Sequence, residues 1–432
     1  MNFNARAVST ASALTIAAAL ASPSAALAQY GSSAPPPSTA APNRDQGKST
    51  TAAKGAQRQL KLSEKAQPAI IALQTAVKAK NSAAVGGLST AAQAVAKTPD
   101  DRYAIGTLLL QAAIDANDYP GLITAADLMS ANGAPPSETT KIYLFAAQKL
   151  MAAKQLVPAT QALDHVVAAE PGNIDALVLR SELLFQQQKV AESVISLSQA
   201  IDKTRAAGTP VPETWLQARV ARAYEIKSPA VYTYAREWVA ASPTPGHWRD
   251  AINIYRNNSG LERSALIDMF RLSRVTKALS GEGDYVGWAQ TLINRGYPSL
   301  ALVLLQEGAA GGTIKMTMPS VAQLATLAKA KSAGEQTLLV TAGKTALGAP
   351  TARPAMLAAD GFFDGGNYAQ AATLYRAALG KPGVDKDIAN LRLGMALAMS
   401  GDKAGATTSL QAAGGTQTEI AKYWLTYVAG RP

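Results

Sequence analysis

The stretch that decides the fold is residues 359–378, ADGFFDGGNYAQAATLYRAA. Small and large apolar residues recur at helical spacing on both sides of a short polar turn in its middle. Ala359 and Phe362 lie three residues apart before the turn, and Ala371 and Tyr375 lie four apart after it. This spacing places the apolar side chains of each half on one face of a helix. The stretch therefore predicts two helices that are joined by a turn and packed against each other.

The same arrangement recurs at a regular interval along the chain. Pro99, Pro135 and Pro171 lie 36 residues apart, and Pro243 lies two such intervals further on. Each proline ends an apolar helical stretch, because proline cannot continue a helix. Two amphipathic segments lie between consecutive prolines. A single pair cannot bury its own apolar face, so pairs repeated at this period predict a solenoid of stacked repeats.

These units resemble the tetratricopeptide repeat. That repeat has a small residue midway along its first helix and another at the start of its second, each followed by a large apolar residue, with a closing proline. The match is close at 140–203 and 352–415, through Ala147, Leu150, Ala159, Leu163, Ser181, Leu184, Ser193, Leu197, Gly394, Leu397, Ala406 and Leu410. The resemblance implies an all-α, right-handed superhelical solenoid of antiparallel helix pairs. It also implies a binding scaffold rather than an enzyme.

The chain is predicted to comprise five regions. Residues 1–28 read as a signal peptide, since Arg6 precedes the apolar stretch 11–20 and Ala26-Leu27-Ala28 is a cleavage site. The Pro/Ser/Thr/Ala-rich residues 29–56 are predicted to be a disordered linker. Tetratricopeptide-like repeats at 57–243, an irregular helical region at 244–350, and C-terminal repeats with a capping helix at 351–432 complete the chain. The expected packing face of the capping helix is Tyr423, Trp424 and Tyr427.

Composition narrows the environment and the partners. The signal predicts export to the bacterial periplasm, with outer-membrane association left open. The chain has no cysteine, which excludes disulfides and cysteine-bound metal, and no transmembrane span is expected after signal removal. The formal net charge is +11. Export argues against nucleic acid as the partner. The basic charge then favours an anionic polysaccharide, a membrane surface or an acidic protein, with ordinary solvated charge as the alternative.

The search for chemistry finds no strong motif. Gly343-Lys344-Thr345 resembles the end of a phosphate-binding loop, but Leu338 occupies its first glycine position. The two histidines, His165 and His247, are far apart, so no metal site is expected, and no cofactor or catalytic residue is predicted. Asp360 and Asp364 share a helix face and are interpreted as exposed charges on the first helix of the best repeat.

The most distinctive stretch concentrates aromatic residues and arginines between 215 and 255. Rings stack on sugars or peptide side chains, and guanidinium groups pair with carboxylates, so together they make recognition surfaces. Trp238 and Tyr224 are expected in the core. The remaining residues are candidates to line a ligand groove: Trp215, Arg219, Arg222, Tyr232, Arg236, Trp248, Arg249 and Tyr255.

Three functional hypotheses follow. The leading one is a non-catalytic scaffold in the bacterial cell envelope, holding a protein or peptide partner in a tetratricopeptide-like superhelical groove. The second is a component of polysaccharide export or cell-wall assembly that contacts an anionic glycan. The third is an α-helical enzyme acting on glycans, for which His247, next to Trp248, is the sole reasonable anchor; its position after Pro243 and Pro245 favours an ordinary helix start instead.

Overall fold

The computed structural model describes residues 58–260 and 263–431. The predicted signal peptide, residues 1–28, and the predicted linker, residues 29–56, lie outside the described residues. Within them the chain forms 21 α-helices, a single 3-10 turn at Gly415–Gln417 and no strand. It divides into two compact units, one ending at Pro210 and the other beginning at Val211. The predicted fold class, an all-α solenoid of tetratricopeptide-like helix pairs, is confirmed.

Unit 1 contains eight helices within the described residues. They are α1 (Gln67–Lys78), α2 (Ser82–Val95), α3 (Pro99–Ala116), α4 (Tyr119–Ala131), α5 (Pro136–Ala152), α6 (Leu156–Ala169), α7 (Ile174–Gln186) and α8 (Val190–Ala206). Consecutive helices pack against each other, and first helices of neighbouring pairs also touch, α1 with α3 and α5 with α7. This contact pattern is that of stacked repeats, in which each pair completes the core of the next.

Unit 2 contains thirteen helices within the described residues. They are α9 (Glu213–Glu225), α10 (Val231–Ala241), α11 (Pro245–Asn258), α12 (Arg263–Val275), α13 (Gly281–Asn294), α14 (Pro298–Ala310), α15 (Pro319–Lys331), α16 (Glu335–Ala346), α17 (Ala352–Asp364), α18 (Tyr368–Leu379), α19 (Lys386–Ser400), α20 (Lys403–Gln411) and α21 (Thr418–Ala429). None of the described helices is long and apolar enough to cross a membrane.

The prolines lie at the starts of helices as well as after their ends. Pro99 is the first residue of α3, and Thr98 caps that helix by accepting a hydrogen bond from the backbone N–H of Asp101. Pro136 is likewise the first residue of α5. Proline suits this position because its fixed φ is already helical and its missing N–H has no partner to lose. The regular proline spacing therefore marks where first helices begin.

A left-handed residue ends the first helix of each pair. These turn residues are Lys80, Asn117, Lys154, Gln188, Lys227, Gly260, Gly296, Gly334, Gly366 and Gly401, at intervals of 32 to 39 residues. Such a residue reverses the chain so that the second helix can run back along the first. The series runs without a gap through 244–350, the region that the sequence predicts to be irregular. That region contains α11 to α16 in the same order of first and second helices.

Close helix crossings explain several small residues. A Cβ atom on Gly394 in α19 would lie 2.6 Å from Leu410 Cγ and 3.0 Å from the backbone nitrogen of Leu410 in α20. Gly106 in α3 has the same relation to Met129 in α4, at 2.8 Å. The two helices of a pair can therefore approach to this distance only where one of them lacks a side chain.

Two glycine-to-alanine substitutions are expected to change stability in opposite directions. Gly394→Ala should lower the free energy of unfolding by about 1–3 kcal/mol, because its methyl group overlaps the backbone of α20. Gly86→Ala should raise it by about 0.5–1 kcal/mol, because nothing lies within 4 Å of the new methyl group in α2. Urea unfolding of both variants, followed by far-UV circular dichroism, measures the two changes. Equal effects of the two substitutions would contradict the close crossing at Gly394.

A short arm precedes the first helix of unit 1 and is fixed to α3. The Arg58 guanidinium pairs with Asp100 at 2.8 Å and lies over the Tyr103 ring at 4.5 Å. The backbone N–H and the hydroxyl of Ser63 both donate to the Asp101 carboxylate at 2.8 Å. The backbone N–H groups of Lys97 and Thr98 donate to the same carboxylate at 2.9 and 3.0 Å. One buried side chain thus holds both the arm and the start of α3.

Unit 1 is expected to lose stability in acid through this carboxylate. Burial raises the pKa of Asp101, but the hydrogen bonds from Ser63, Thr98 and Lys97 outweigh it and lower the pKa to about 2. The stability it confers is therefore full above the unfolded pKa near 4 and is lost as pH falls towards 2, a change of about 2 kcal/mol. Far-UV unfolding of the protein and of Asp101→Asn between pH 5 and 2 measures it. The variant should show the shallower pH dependence, and identical slopes would contradict the assignment.

Candidate functional site

The candidate groove residues on α9 and α10 have partners inside unit 2. Arg219 is buried, donates to Glu237 at 2.5 Å and lies over the Tyr234 ring at 4.2 Å. Arg236 pairs with Glu419 of the C-terminal helix α21 and also donates to Thr233 at 3.0 Å. These guanidinium groups are thus held by carboxylates of the chain itself.

The aromatic candidates pack around the C-terminal helix. Tyr255 lies edge-on to Tyr232 with ring centroids 5.1 Å apart and contacts Tyr423 at 5.6 Å. Trp248 is buried and faces Tyr427 at 6.3 Å. The capping helix is α21, and its Tyr423 and Trp424 are fully buried. The structure therefore brings these candidates together in the core against which α21 packs.

The remaining candidates differ in burial. Trp215 and Arg249 are half-buried, Arg249 donates to Ser280, and Arg222 is buried. Ligand binding by any of the eight residues stays a prediction. Trp238 is buried as expected, but Tyr224, expected in the core, is 43% exposed, because its position on α9 faces away from the neighbouring helices.

Each histidine packs against an aromatic ring and lies beside a carboxylate. His247 lies in the first turn of α11, as predicted, with Nδ1 2.7 Å from the Ser242 carbonyl and its ring centroid 4.4 Å from that of Trp238. His165 is stacked on Tyr143 at 4.7 Å, and its Nε2 lies 3.2 Å from Asp127. Within residues 58–260 and 263–431, no three or more metal-ligating side chains cluster.

The largest difference from the sequence interpretation concerns Asp360 and Asp364. They are not exposed charges, since each residue is only 8% exposed. Arg271 of α12 donates to both oxygens of Asp364, at 2.8 and 3.0 Å, and to Asp268 at 2.9 Å. Arg392 of α19 donates to Asp360 at 2.8 Å and to Asp268 at 3.1 Å. The interpretation was wrong because the partners lie far away in sequence, on α12 and α19.

This ionic cluster comprises Asp268, Arg271, Asp360, Asp364, Tyr375 and Arg392. The Tyr375 hydroxyl completes it by donating to Asp360 at 2.6 Å. Three carboxyl groups face two guanidinium groups, so the fully ionised cluster has an excess negative charge. Burial raises the pKa of Asp364, against the attraction of Arg271, and Asp360 raises it further. The neighbouring carboxylates raise the pKa of Arg271 well above its ordinary value despite its burial.

The ionic cluster shows what covers the C-terminal repeats. Asp360 and Asp364 lie on α17, and Arg392 lies on α19, and both helices are first helices of their pairs. In a tetratricopeptide-like solenoid the first helices line the inner face. Helix α12, with Ile267, Met269 and Phe270 also buried, therefore packs its charged side chains against these first helices. On α17 and α19, the positions that carry the ionic cluster are thus covered by α12.

The first helices of unit 1 present a different surface. On α5, Lys141 and Gln148 are exposed, and Leu144, Phe145 and Lys149 are half-buried. At the matching positions of α7, Asp175 is exposed, and Val178, Leu179 and Glu182 are half-buried. We call these residues the inner row of unit 1. Its apolar residues are half-buried on both helices, and its charged residues are basic on α5 and acidic on α7.

A cleft opens at the end of the inner row on α5. Its floor is formed by Ala113, Ile114 and Leu122, which are buried. Tyr119 and Phe145 form its walls, with ring centroids 6.5 Å apart and planes at 74°. Lys149 also lines the cleft, and its Nζ lies 5.4 Å from the centre of the Phe145 ring. Asn117 lines the cleft as well, so its apolar floor is bordered by an amide and a positive charge.

Comparisons with known proteins add a likeness but no functional argument. No protein-family model matches the chain, and no curated protein matches it. Among solved structures, the chain is similar to one described as the crystal structure of the APC/C hetero-tetramer Cut9-Hcn1. The identity is 12%, the match covers 82% of this chain and 66% of that chain, and the TM-score is 0.19. The chain thus spans slightly less than two thirds of that chain. The fold class rests instead on the chain's own helices: it is a tetratricopeptide-like helical solenoid.

Proposed function

We propose that the protein is an interaction scaffold of the bacterial cell envelope whose inner row in unit 1 holds a segment of a protein partner. The observation that carries the proposal is the contrast between inner faces. Helix α12 covers α17 and α19 through the ionic cluster, whereas Lys141, Gln148 and Asp175 of unit 1 are exposed. Apolar side chains on rigid first helices offer a partner a preformed surface, so that little ordering is needed on binding.

Export to the periplasm belongs to the proposal. It is supported by the sequence pattern of residues 1–28, with Arg6 before an apolar stretch and a small-residue cleavage site. N-terminal sequencing of the mature protein from a periplasmic fraction tests it. The first residue should be Gln29, and an intact Met1 in the cytosolic fraction would reject the envelope setting.

Site-specific crosslinking tests the inner row directly. A photoreactive p-benzoylphenylalanine is placed at Gln148 in the full-length protein in its native host, with a matched variant at Gln161, an exposed position of α6. A defined adduct is expected at 148 and not at 161. Asp175→Lys should weaken the adduct, whereas Asp164→Lys, an exposed acidic residue on α6, should not. Equal adducts at both positions, or none at 148, would reject the inner row as the binding surface.

A second candidate function is contact with an anionic envelope polymer, and the distribution of charge favours it. Residues 211–432 contain 23 Lys and Arg against 16 Asp and Glu, whereas residues 58–210 contain 14 against 13. Most of the basic excess of the chain, +7 of +11, therefore belongs to unit 2. Binding of an acidic glycan should weaken steeply between 50 and 300 mM salt, a range in which the Debye length falls from about 14 Å to about 6 Å. Salt-independent binding, or none, would remove this candidate.

A further inference from the structure

We infer that the cleft of unit 1 is the anchor pocket for the partner, and that it takes an aromatic or large apolar side chain next to a carboxylate. The inference rests on the proposed function, since it names the chemistry of the segment that the inner row holds. It goes beyond that function because the inner row alone does not say which side chain of the partner decides binding.

The walls of the cleft select the apolar part of the ligand. Tyr119 and Phe145 meet nearly at right angles, and the Lys149 ammonium lies over one face of the Phe145 ring. The floor residues Ile114 and Leu122 are 7% and 1% exposed, so the bottom of the cleft is aliphatic. Ring pairs prefer edge-on or offset contacts, which this arrangement provides.

Lys149 favours a negative charge on the ligand. Its ammonium group lies over the Phe145 ring, and within the part of the chain that the structure describes no carboxylate forms an ion pair with it. Lys141 lies two turns earlier on the same helix and is exposed. A carboxylate that follows the inserted side chain would therefore meet a cation that is already positioned and half desolvated, where a charge-assisted hydrogen bond is strongest.

The acidic half of the inner row predicts the direction in which the bound segment runs. Asp175 and Glu182 on α7 lie at the positions that match Lys141 and Gln148 on α5. A segment crossing from α5 to α7 thus passes from a basic to an acidic surface. The partner chemistry that fits is an apolar anchor with a carboxylate on the α5 side and a basic residue on the α7 side.

The test uses two small probes that differ only in charge, 3-phenylpropionate and its neutral analogue 3-phenylpropionamide. Binding to the full-length protein is followed by the methyl NMR signals of Ile114 and Leu122. Both probes are expected to shift these signals, with the carboxylate binding about fivefold tighter. Lys149→Gln should abolish that preference and leave the amide unchanged. Lys154→Gln, at an exposed turn position, is the matched control and should change neither.

The possible outcomes distinguish a failure of the anchor pocket from a failure of the proposed function. Phe145→Ala should weaken both probes, and circular dichroism of that variant shows whether the helices remain. The inference is overturned by equal affinity for the two probes, by retention of the preference in Lys149→Gln, or by shifts elsewhere than at the cleft. If the cleft fails while the crosslink at position 148 persists, only the anchor is wrong. If both fail, the proposed function is wrong as well.

Discussion

Replacing Arg271 by methionine is expected to lower the free energy of unfolding of unit 2 by about 3–5 kcal/mol. The guanidinium group donates to Asp268, Asp360 and Asp364 and is only 1% exposed. Methionine fills a similar volume but leaves three buried carboxyl groups with Arg392 as the single cation of the ionic cluster. Leaving a buried charge unpaired destabilises a protein by far more than the intact ion pair stabilises it. Arg376→Met, at an exposed site on α18, is the matched control and should change little.

Tryptophan fluorescence in urea measures this effect in unit 2 alone, because all five tryptophans lie beyond residue 210. The double variant Arg271→Met with Asp364→Asn should recover part of the loss, since it removes one of the carboxylates left unpaired. A loss below about 1 kcal/mol for the single variant would show that water, and not Arg271, satisfies the cluster.

Replacing Trp424 by alanine is expected to lower the free energy of unfolding by about 3–5 kcal/mol. Its side chain is fully buried in α21, which contacts α10, α12 and α19. The substitution leaves a cavity between helices that are distant in sequence, so that local repacking cannot fill it. Far-UV circular dichroism in urea measures the loss. The matched control is Trp215→Ala on α9, where a half-buried ring should cost clearly less. A larger loss at Trp215 would contradict the capping role of α21.

The periodic part of the fold could be predicted because it is local. A pair of helices needs an apolar face, a turn and a small residue at the crossing, and all three lie within one repeat. Residues 359–378 carry all of them, and α17 and α18 form there. Residues 244–350 are predicted to be irregular because they depart from the tetratricopeptide pattern. The turn residues Gly260, Gly296 and Gly334 carry the period there instead.

The ionic cluster could not be derived from the sequence, because its members come from helices up to 124 residues apart. One local signal did exist. Asp268 and Arg271 lie within an apolar helix in which Ile267, Met269, Phe270 and Leu272 are all buried. Charged residues surrounded on every side by apolar ones have no solvated face and must be paired inside. Asp360 and Asp364 lacked this signal, since Gly361 and Gly365 beside them are compatible with a surface turn.

The candidate site shows the same division. Composition alone identified a stretch rich in rings and arginines, and the structure brings Arg236, Tyr255 and Trp248 together around α21. The inner row of unit 1 had no such compositional signal. Its residues are ordinary, and only the exposure of Lys141 and Gln148 beside half-buried Phe145 distinguishes them. Exposure depends on which helices cover which faces, and this is a property of tertiary packing.

The central claim is that the inner row of unit 1 is open while the inner face of the C-terminal repeats is covered by α12. The chain contains no cysteine, so single thiols can be introduced without background. The measurement is the rate of maleimide labelling of Gln148→Cys and Ser273→Cys, the first exposed on α5 and the second 4% exposed on α12. Gln148→Cys should react as fast as a free thiol, and Ser273→Cys at least about a hundredfold more slowly until urea is added. Equal rates in the native protein would contradict the claim.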